Sequence, residues 1–169
     1  TGLYASCFVI ASVINMVVQP FHKISLPLFV QLVKENNKLL ANKFFNLSSL
    51  LSILTVYLAF FLYYYLSVYI DFIVDDRSLH DIAGEIIFML GLSFWLISCG
   101  WLSSNLLQAK GVPSIQLWNI VFAIIVGGMI SIYYVEQGYI LAATIIWLVH
   151  GIIQCSVLPI KLAQKIQGI

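Results

Sequence analysis

Five long apolar stretches limit what this chain can fold into. They cover residues 3–32, 44–70, 82–108, 114–134 and 139–161, and each reaches or approaches the roughly 20 residues that a membrane-spanning helix needs. Of the 169 residues, 62% are hydrophobic and only 9% are charged, which is too little charge to cover a soluble domain. We therefore predict an all-α membrane protein, a polytopic bundle of five transmembrane helices that forms a single membrane domain.

The basic residues predict the orientation of that bundle. If Thr1 lies outside, the inner segments carry seven of the eight basic residues, namely Lys23, Lys34, Lys38, Lys43, Lys110, Lys161 and Lys165. Arg77 falls on the outer side. An excess of positive charge marks the cytoplasmic side, so we expect an external N-terminus and a cytoplasmic C-terminus. The net charge of +1 gives no basic field for nucleic acid.

The first predicted helix carries a polar face. Four polar residues recur along it at spacings of three, four and three: Ser12, Asn15, Gln19 and His22. Such a stripe costs free energy against hydrocarbon, so it should face protein or a water-filled cavity. Pro20 predicts a bend or hinge, because it removes a helical hydrogen bond, and Lys23 follows near the inner end. A kinked helix that is polar on one side and basic at one end indicates a transport path.

Later helices carry polar residues as well. The third has small or polar residues at sevenfold spacing, which suits close helix packing: Gly84, Gly91, Ser98 and Asn105. The fourth has a comparable face: Gln116, Asn119, Ala123, Gly127 and Ser131. The fifth carries His150 and Gln154 in its inner half. The short links predict that the second and third, third and fourth, and fourth and fifth helices are spatial neighbours.

Several motifs, in order along the chain, carry a family resemblance. They are Gly2-Leu3-Tyr4, the proline-led stretch 27–39 that ends in a lysine-leucine pair, the turn 105–111, and Gln137-Gly138 with Ala142-Ala143. Together they resemble the polysaccharide flippases of the multidrug/oligosaccharidyl-lipid/polysaccharide exporter superfamily. Val30 stands where that family usually has a serine, and Leu141 where a second glycine is expected.

The resemblance implies a fold, a substrate and partners. It implies two helix bundles around a hydrophilic cavity, of which this chain is most of the second and the N-terminal half is missing. Such a protein moves a lipid-linked oligosaccharide, a polyprenyl diphosphate carrying sugars, from the inner to the outer leaflet of the bacterial cytoplasmic membrane. The expected partners are membrane lipids, a glycan polymerase and glycosyltransferases. No catalysis, cofactor or metal is expected.

That substrate gives the polar residues candidate roles. Asn15 and Gln19 suit sugar hydroxyls, because amides both donate and accept hydrogen bonds, while His22 and Lys23 suit the phosphates. The alternatives are interhelical packing for the polar stripe and simple snorkelling of Lys23 to the interface.

The inner half of the bundle has further candidates. Asn105 and Asn119 either line the inner mouth or tie neighbouring helices together. His150, next to Gln154, is either a carrier of a coupling proton or a hydrogen-bonded histidine of the bundle.

Three other interpretations remain open at this point. A drug exporter of the same superfamily would typically need an intramembrane carboxylate, and Glu85 is the candidate. A polyprenyl-dependent glycosyltransferase has support only from the Asp75-Asp76 pair. The cluster Asp75, Asp76, His80 and Asp81 is oxygen-rich, but its spacing fits no known metal site, so we interpret it as a solvated loop.

Overall fold

Five α-helices make up nearly all of the part that the computed structural model describes, residues 2–73, 80–136 and 141–155. They are α1 (Gly2–Lys34), α2 (Lys38–Ile73), α3 (His80–Ala109), α4 (Ser114–Glu136) and α5 (Ala142–Cys155). No strand occurs within these ranges, so the all-helical prediction is confirmed for them. Of the described helices, α1, α3 and α4 are long and apolar enough to cross a membrane, and α5 is apolar but shorter over its described part.

The turn between α1 and α2 is shorter than the sequence suggested. Asn36 adopts a left-handed conformation (φ 52°), and the Asn37 amide donates to the Leu32 carbonyl at 3.0 Å, which closes α1. The Asn37 side chain then accepts from the Leu40 amide at 3.1 Å and caps α2. The residues before Phe44, which lie between the first two predicted apolar stretches, are therefore helical from Lys38 onward.

α1 remains one helix across both of its prolines. Pro20 and Pro27 lie inside it, and the helix ends at neither. Pro20 still lacks the amide that would bond to the carbonyl four residues earlier, so the backbone is held less firmly there. The hinge at Pro20 stays a prediction about movement.

α1 packs lengthwise against α3. Its buried face has residues three or four apart: Cys7, Ala11, Ile14, Val18, His22, Ser25, Phe29 and Leu32. The predicted sevenfold seam of α3 meets this face, since a methyl group on Gly91 would lie 3.3 Å from Ile14 Cδ1 and Ser98 bonds to Asn15. Later residues of α1 contact later residues of α3, so the two helices run in the same direction.

α5 packs against a second face of α3, again in the same direction. The approach is close because glycines stand at the contact. A Cβ atom on Gly100 would lie 2.5 Å from Cγ and 2.6 Å from the carbonyl oxygen of Gln154. One on Gly151 would lie 2.9 Å from the Ser93 carbonyl oxygen. These two glycines let the helix backbones approach each other, as small residues do in membrane bundles.

α4 pairs with α5 in the opposite direction. Gly127 lies against Ile146, and the Ser131 hydroxyl donates to the Ala142 carbonyl at 2.6 Å. The prediction that α3 and α4 are neighbours is wrong over most of their length, because α5 occupies the small-residue face of α4. The two helices meet near their connecting turn, where Gln108 Nε2 donates to Gln116 Oε1 at 2.8 Å.

Candidate functional site

α1 and α5 both pack along α3 but scarcely touch each other, which leaves a groove between them with α3 as its floor. Phe8 of α1 shows on which side of α3 the groove lies. The ring of Phe8 is 5.2 Å from that of Phe94 on α3 and 5.6 Å from that of Trp147 on α5. α2 packs elsewhere, through contacts such as Phe60 with Phe88. α1, α3 and α5 are parallel. Residues of α1 on the same helical face as Phe8 therefore point to the same side of α3 as Phe8 does.

The predicted polar stripe of α1 forms one wall of this groove. Ser12, Asn15 and Gln19 follow Phe8 by four, seven and eleven residues, which keeps them within about 40° of its direction, and Lys23, fifteen residues on, lies about 60° away at the edge of this face. Asn15 is half-buried, and its Oδ1 accepts from the Ser98 hydroxyl at 3.0 Å. Ser12 donates back to the Val9 carbonyl at 2.7 Å. Gln19, Pro20 and Lys23 are exposed, so they are free to meet a ligand.

His22 does not share that wall, although the sequence grouped it with the stripe. It lies in the α1–α3 interface with 4% of its surface exposed, and its ring meets Trp101 edge-on at 5.1 Å. Neither ring nitrogen has a hydrogen-bond partner within the described part of the chain. Asn105 lies in the same interface, where its Nδ2 donates to the His22 carbonyl at 2.9 Å and to Ser25 Oγ at 2.7 Å. The structure thus places His22 and Asn105 where they tie α1 to α3.

α5, the other wall of the groove, also borders a small cleft between α3, α4 and α5, with room for about one water molecule. Seven residues line it: Ser104, Leu107, Gln116, Asn119, Ile120, His150 and Gln154. The structure therefore brings together three residues that the sequence singled out, Asn119, His150 and Gln154. None of the lining residues is a carboxylate, a lysine or an arginine.

Two polar atoms in this cleft lack partners. Gln154 is buried, its Nε2 makes a long contact of 3.5 Å with Ser104 Oγ, and its Oε1 accepts from no donor in the described ranges. His150 Nε2 is also buried without a partner there. A buried polar atom without a hydrogen bond costs about 1–3 kcal/mol, so a polar group that enters the cleft would recover that free energy.

The chemistry of the site is that of neutral hydrogen bonding, with one cation at its edge. Amides and hydroxyls at Asn15, Ser104, Asn119 and Gln154 can donate and accept, and Lys23 supplies a positive charge. Within the described residues, no three His, Cys, Asp or Glu side chains come close enough to hold a metal ion. The Asp75-Asp76 pair lies outside those residues, as does the segment 156–169 with Lys161 and Lys165.

Sequence reasoning missed part of this site. Ser104 and Gln116 line the cleft, and Ser98 holds Asn15, yet none of them was predicted to act on a ligand. Their spacing placed Ser98 and Gln116 on packing faces, and a serine such as Ser104 is common where membrane helices meet. Only the contact with Gln154 distinguishes Ser104 from a packing residue.

Comparison with known proteins finds no relative: no protein-family model, curated protein or solved structure matches the chain. The geometry of the groove and cleft is therefore what supports a function.

Proposed function

We propose that this chain is part of a flippase that moves a polyprenyl-diphosphate-linked oligosaccharide across the cytoplasmic membrane of a bacterium by alternating access. The observation that carries the proposal is the uncharged polar cleft in a largely apolar bundle, with Gln154 Oε1 and His150 Nε2 buried and unpartnered. Together with the stripe on α1, it gives the bundle hydrogen-bonding groups on both α1 and α5.

Sugar hydroxyls fit those groups. Each hydroxyl donates one hydrogen bond and accepts others, so it can satisfy Gln154 Oε1 and a nearby amide such as Asn119 at once. Asn15 and Gln19 offer the same chemistry from α1. A neutral site also suits a neutral or variable glycan better than a site built from fixed charges would.

The other parts of the substrate have counterparts as well. Lys23 is exposed on the groove wall, where its ammonium group can meet a diphosphate. The prenyl chain needs an apolar surface, and α1 exposes an apolar side chain beside the polar stripe, Met16, which is 63% exposed. A polar head group and an apolar tail would thus lie along adjacent faces of one helix.

The proposal includes an arrangement in the membrane. The chain crosses five times, with its N-terminus external and its C-terminus cytoplasmic, and a second helix bundle covers the open side of the groove. α2 lies away from that side, which leaves space for such a second bundle. A glycan polymerase and glycosyltransferases supply and consume the substrate.

The rival drug-exporter function would need a coupling carboxylate, and among the described residues none lines the cleft. Glu85 is exposed within the first two turns of α3 and is not among the residues that line the cleft.

The test is a volume-conserving replacement at the cleft in the full-length protein. Gln154→Met removes the amide and keeps the volume. Because one such hydrogen bond is worth about 1–1.5 kcal/mol, we expect transfer of the lipid-linked oligosaccharide to the outer leaflet to fall by about tenfold at an unchanged protein level.

Gln31→Met is the matched control. Gln31 is an exposed glutamine of α1 whose amide donates to Glu35 at 2.8 Å, away from the groove, so the variant should transport normally. Normal transport by Gln154→Met would remove the cleft from the transport path and with it the main support for the flippase.

A further inference from the structure

We propose that Phe8, Phe94 and Trp147, here called the aromatic closure, seal the groove at the Gly2 end, and that this seal opens when the groove turns to that side. The inference rests on the proposed function, in that it assumes a groove that opens to each side of the membrane in turn. In the present conformation the groove is then closed at the Gly2 end, and its polar residues lie beyond the three rings.

The three rings come from three different helices and touch pairwise. Phe8 meets Phe94 edge-on at 5.2 Å (interplanar angle 87°), and each of them lies 5.6 Å from Trp147. Phe94 is 2% exposed, so the centre of the cluster is filled. Because α1 and α5 form the two walls of the groove, contact between Phe8 and Trp147 brings the walls together at this level.

The position of the closure is the same on all three helices. Each ring precedes a polar residue of the groove or its floor by about one helical turn: Phe8 precedes Ser12, Phe94 precedes Ser98 and Trp147 precedes His150. An apolar layer therefore separates the polar residues from the Gly2 end. A water-soluble head group cannot pass that layer while the rings stay in contact.

Trp147 connects the closure to the cleft. Its ring is nearly parallel to that of His150 on the next turn of α5, with centroids 6.5 Å apart and an interplanar angle of 18°. His150 in turn lines the cleft beside Gln154. A ligand that moves His150 therefore acts on a residue that stacks on the closure, and opening of the closure changes the surroundings of the cleft.

The experiment measures access to the groove from each side. In the full-length protein, Cys7, Cys99 and Cys155 are replaced by alanine and Gln19→Cys is added as a reporter on the exposed wall. A membrane-impermeant maleimide is applied to right-side-out and to inside-out vesicles. From the Gly2 side, we expect little labelling in this parent and at least fivefold more in Phe8→Ala or Trp147→Ala.

Phe88→Ala is the matched control, since it removes a ring that pairs with Phe60 on another face of α3. It should leave labelling from the Gly2 side unchanged. Equal labelling of the parent and Phe8→Ala, or strong labelling of the parent from the Gly2 side, would overturn the proposal.

A second measurement avoids the alanine variants and therefore tests the closure even if those variants fold poorly. In the cysteine-free protein, Phe8→Cys and Trp147→Cys are joined by a short bifunctional methanethiosulfonate reagent and released by a reductant. Joining should stop transport and reduction should restore it, whereas transport by the joined protein would refute the closure. Labelling of the reporter cysteine does not depend on which substrate the protein carries. If labelling supports the closure while Gln154→Met transports normally, the proposed function alone is refuted.

Discussion

Lys23 is the residue whose two interpretations differ most. It is exposed and shares a face of α1 with Gln19, so its ammonium group either binds a diphosphate or extends to the lipid head groups. Snorkelling requires only a long basic side chain near the interface, so any nearby lysine would fulfil this role equally well. Phosphate binding asks for a cation at this position of the groove wall.

Phosphate binding predicts that Lys23→Ala lowers outer-leaflet delivery of the lipid-linked oligosaccharide by about tenfold, as expected for a charged hydrogen bond worth roughly 1.5–3 kcal/mol of which solvent screens a part. Lys23→Arg should keep most of the delivery because the charge remains. Lys43→Ala, which removes an exposed lysine of α2, is the control. Equal delivery by the two alanine variants would leave only snorkelling for Lys23.

At this scale the sequence placed four polar residues on one face of α1, and the structure separates His22 from the other three for a geometric reason. Steps of three, four and three residues carry the chain from Ser12 to His22 in ten residues, about a fifth of a turn short of three full turns. The stripe therefore rotates around α1 as it descends. Asn15 and Gln19 stay on the wall, and His22 turns into the α3 interface.

Among the helices, glycines decide which pairs come close. Gly100 and Gly151 hold α3 and α5 together, and Gly127 does the same for α4 and α5. Periodicity showed which face of each helix carries small residues, but it did not show which neighbour that face meets. In lipid no hydrophobic effect selects the partner, so the choice rests on packing details that single-sequence reasoning does not contain.

Gly100→Ala should destabilise the bundle by about 1–3 kcal/mol, because its Cβ would overlap Gln154, including a backbone atom that cannot turn away. Gly128→Ala is the matched control: nothing lies within 4 Å of its Cβ, and alanine favours a helix over glycine by about 1 kcal/mol. Thermal unfolding of the purified full-length protein in detergent compares them. A melting temperature for Gly100→Ala equal to that of the parent would contradict the packing of α5 on α3.

For the whole molecule, composition and the length of the apolar stretches were enough to predict a helical membrane protein. The first, third and fourth helices have bounds within two residues of the predicted ones, while α2 begins earlier because of the Asn37 cap, and the predicted end of the fifth helix lies outside the described residues. The number of crossings rests on the apolar stretches and their direction on the basic residues, and the turn near Glu35 and the end of α4 near Glu136 make both testable. Three crossings should separate these two exposed residues.

Single cysteines at Glu35 and Glu136 in the cysteine-free protein give that test. An impermeant maleimide should label Glu35→Cys only from the cytoplasmic side and Glu136→Cys only from the outer side, since an odd number of helices lies between them. Labelling of both from one side would contradict the number of crossings. The reverse pattern would keep the number and invert the orientation.

The unbroken course of α1 has a consequence for the lipid around it. Its 33 residues make a rod about 50 Å long, whereas the hydrocarbon layer is about 30 Å thick. Fitting that rod entirely inside would need a tilt above about 50°, beyond the roughly 40° reached by transmembrane helices. A crossing α1 therefore extends beyond the hydrocarbon by about two turns at that tilt and by nearly four turns when upright. Its end near Phe29 packs against Phe44 of α2 and then forms a helical hairpin at the depth of the head groups. The thickness of the bilayer sets how far this hairpin extends from the hydrocarbon.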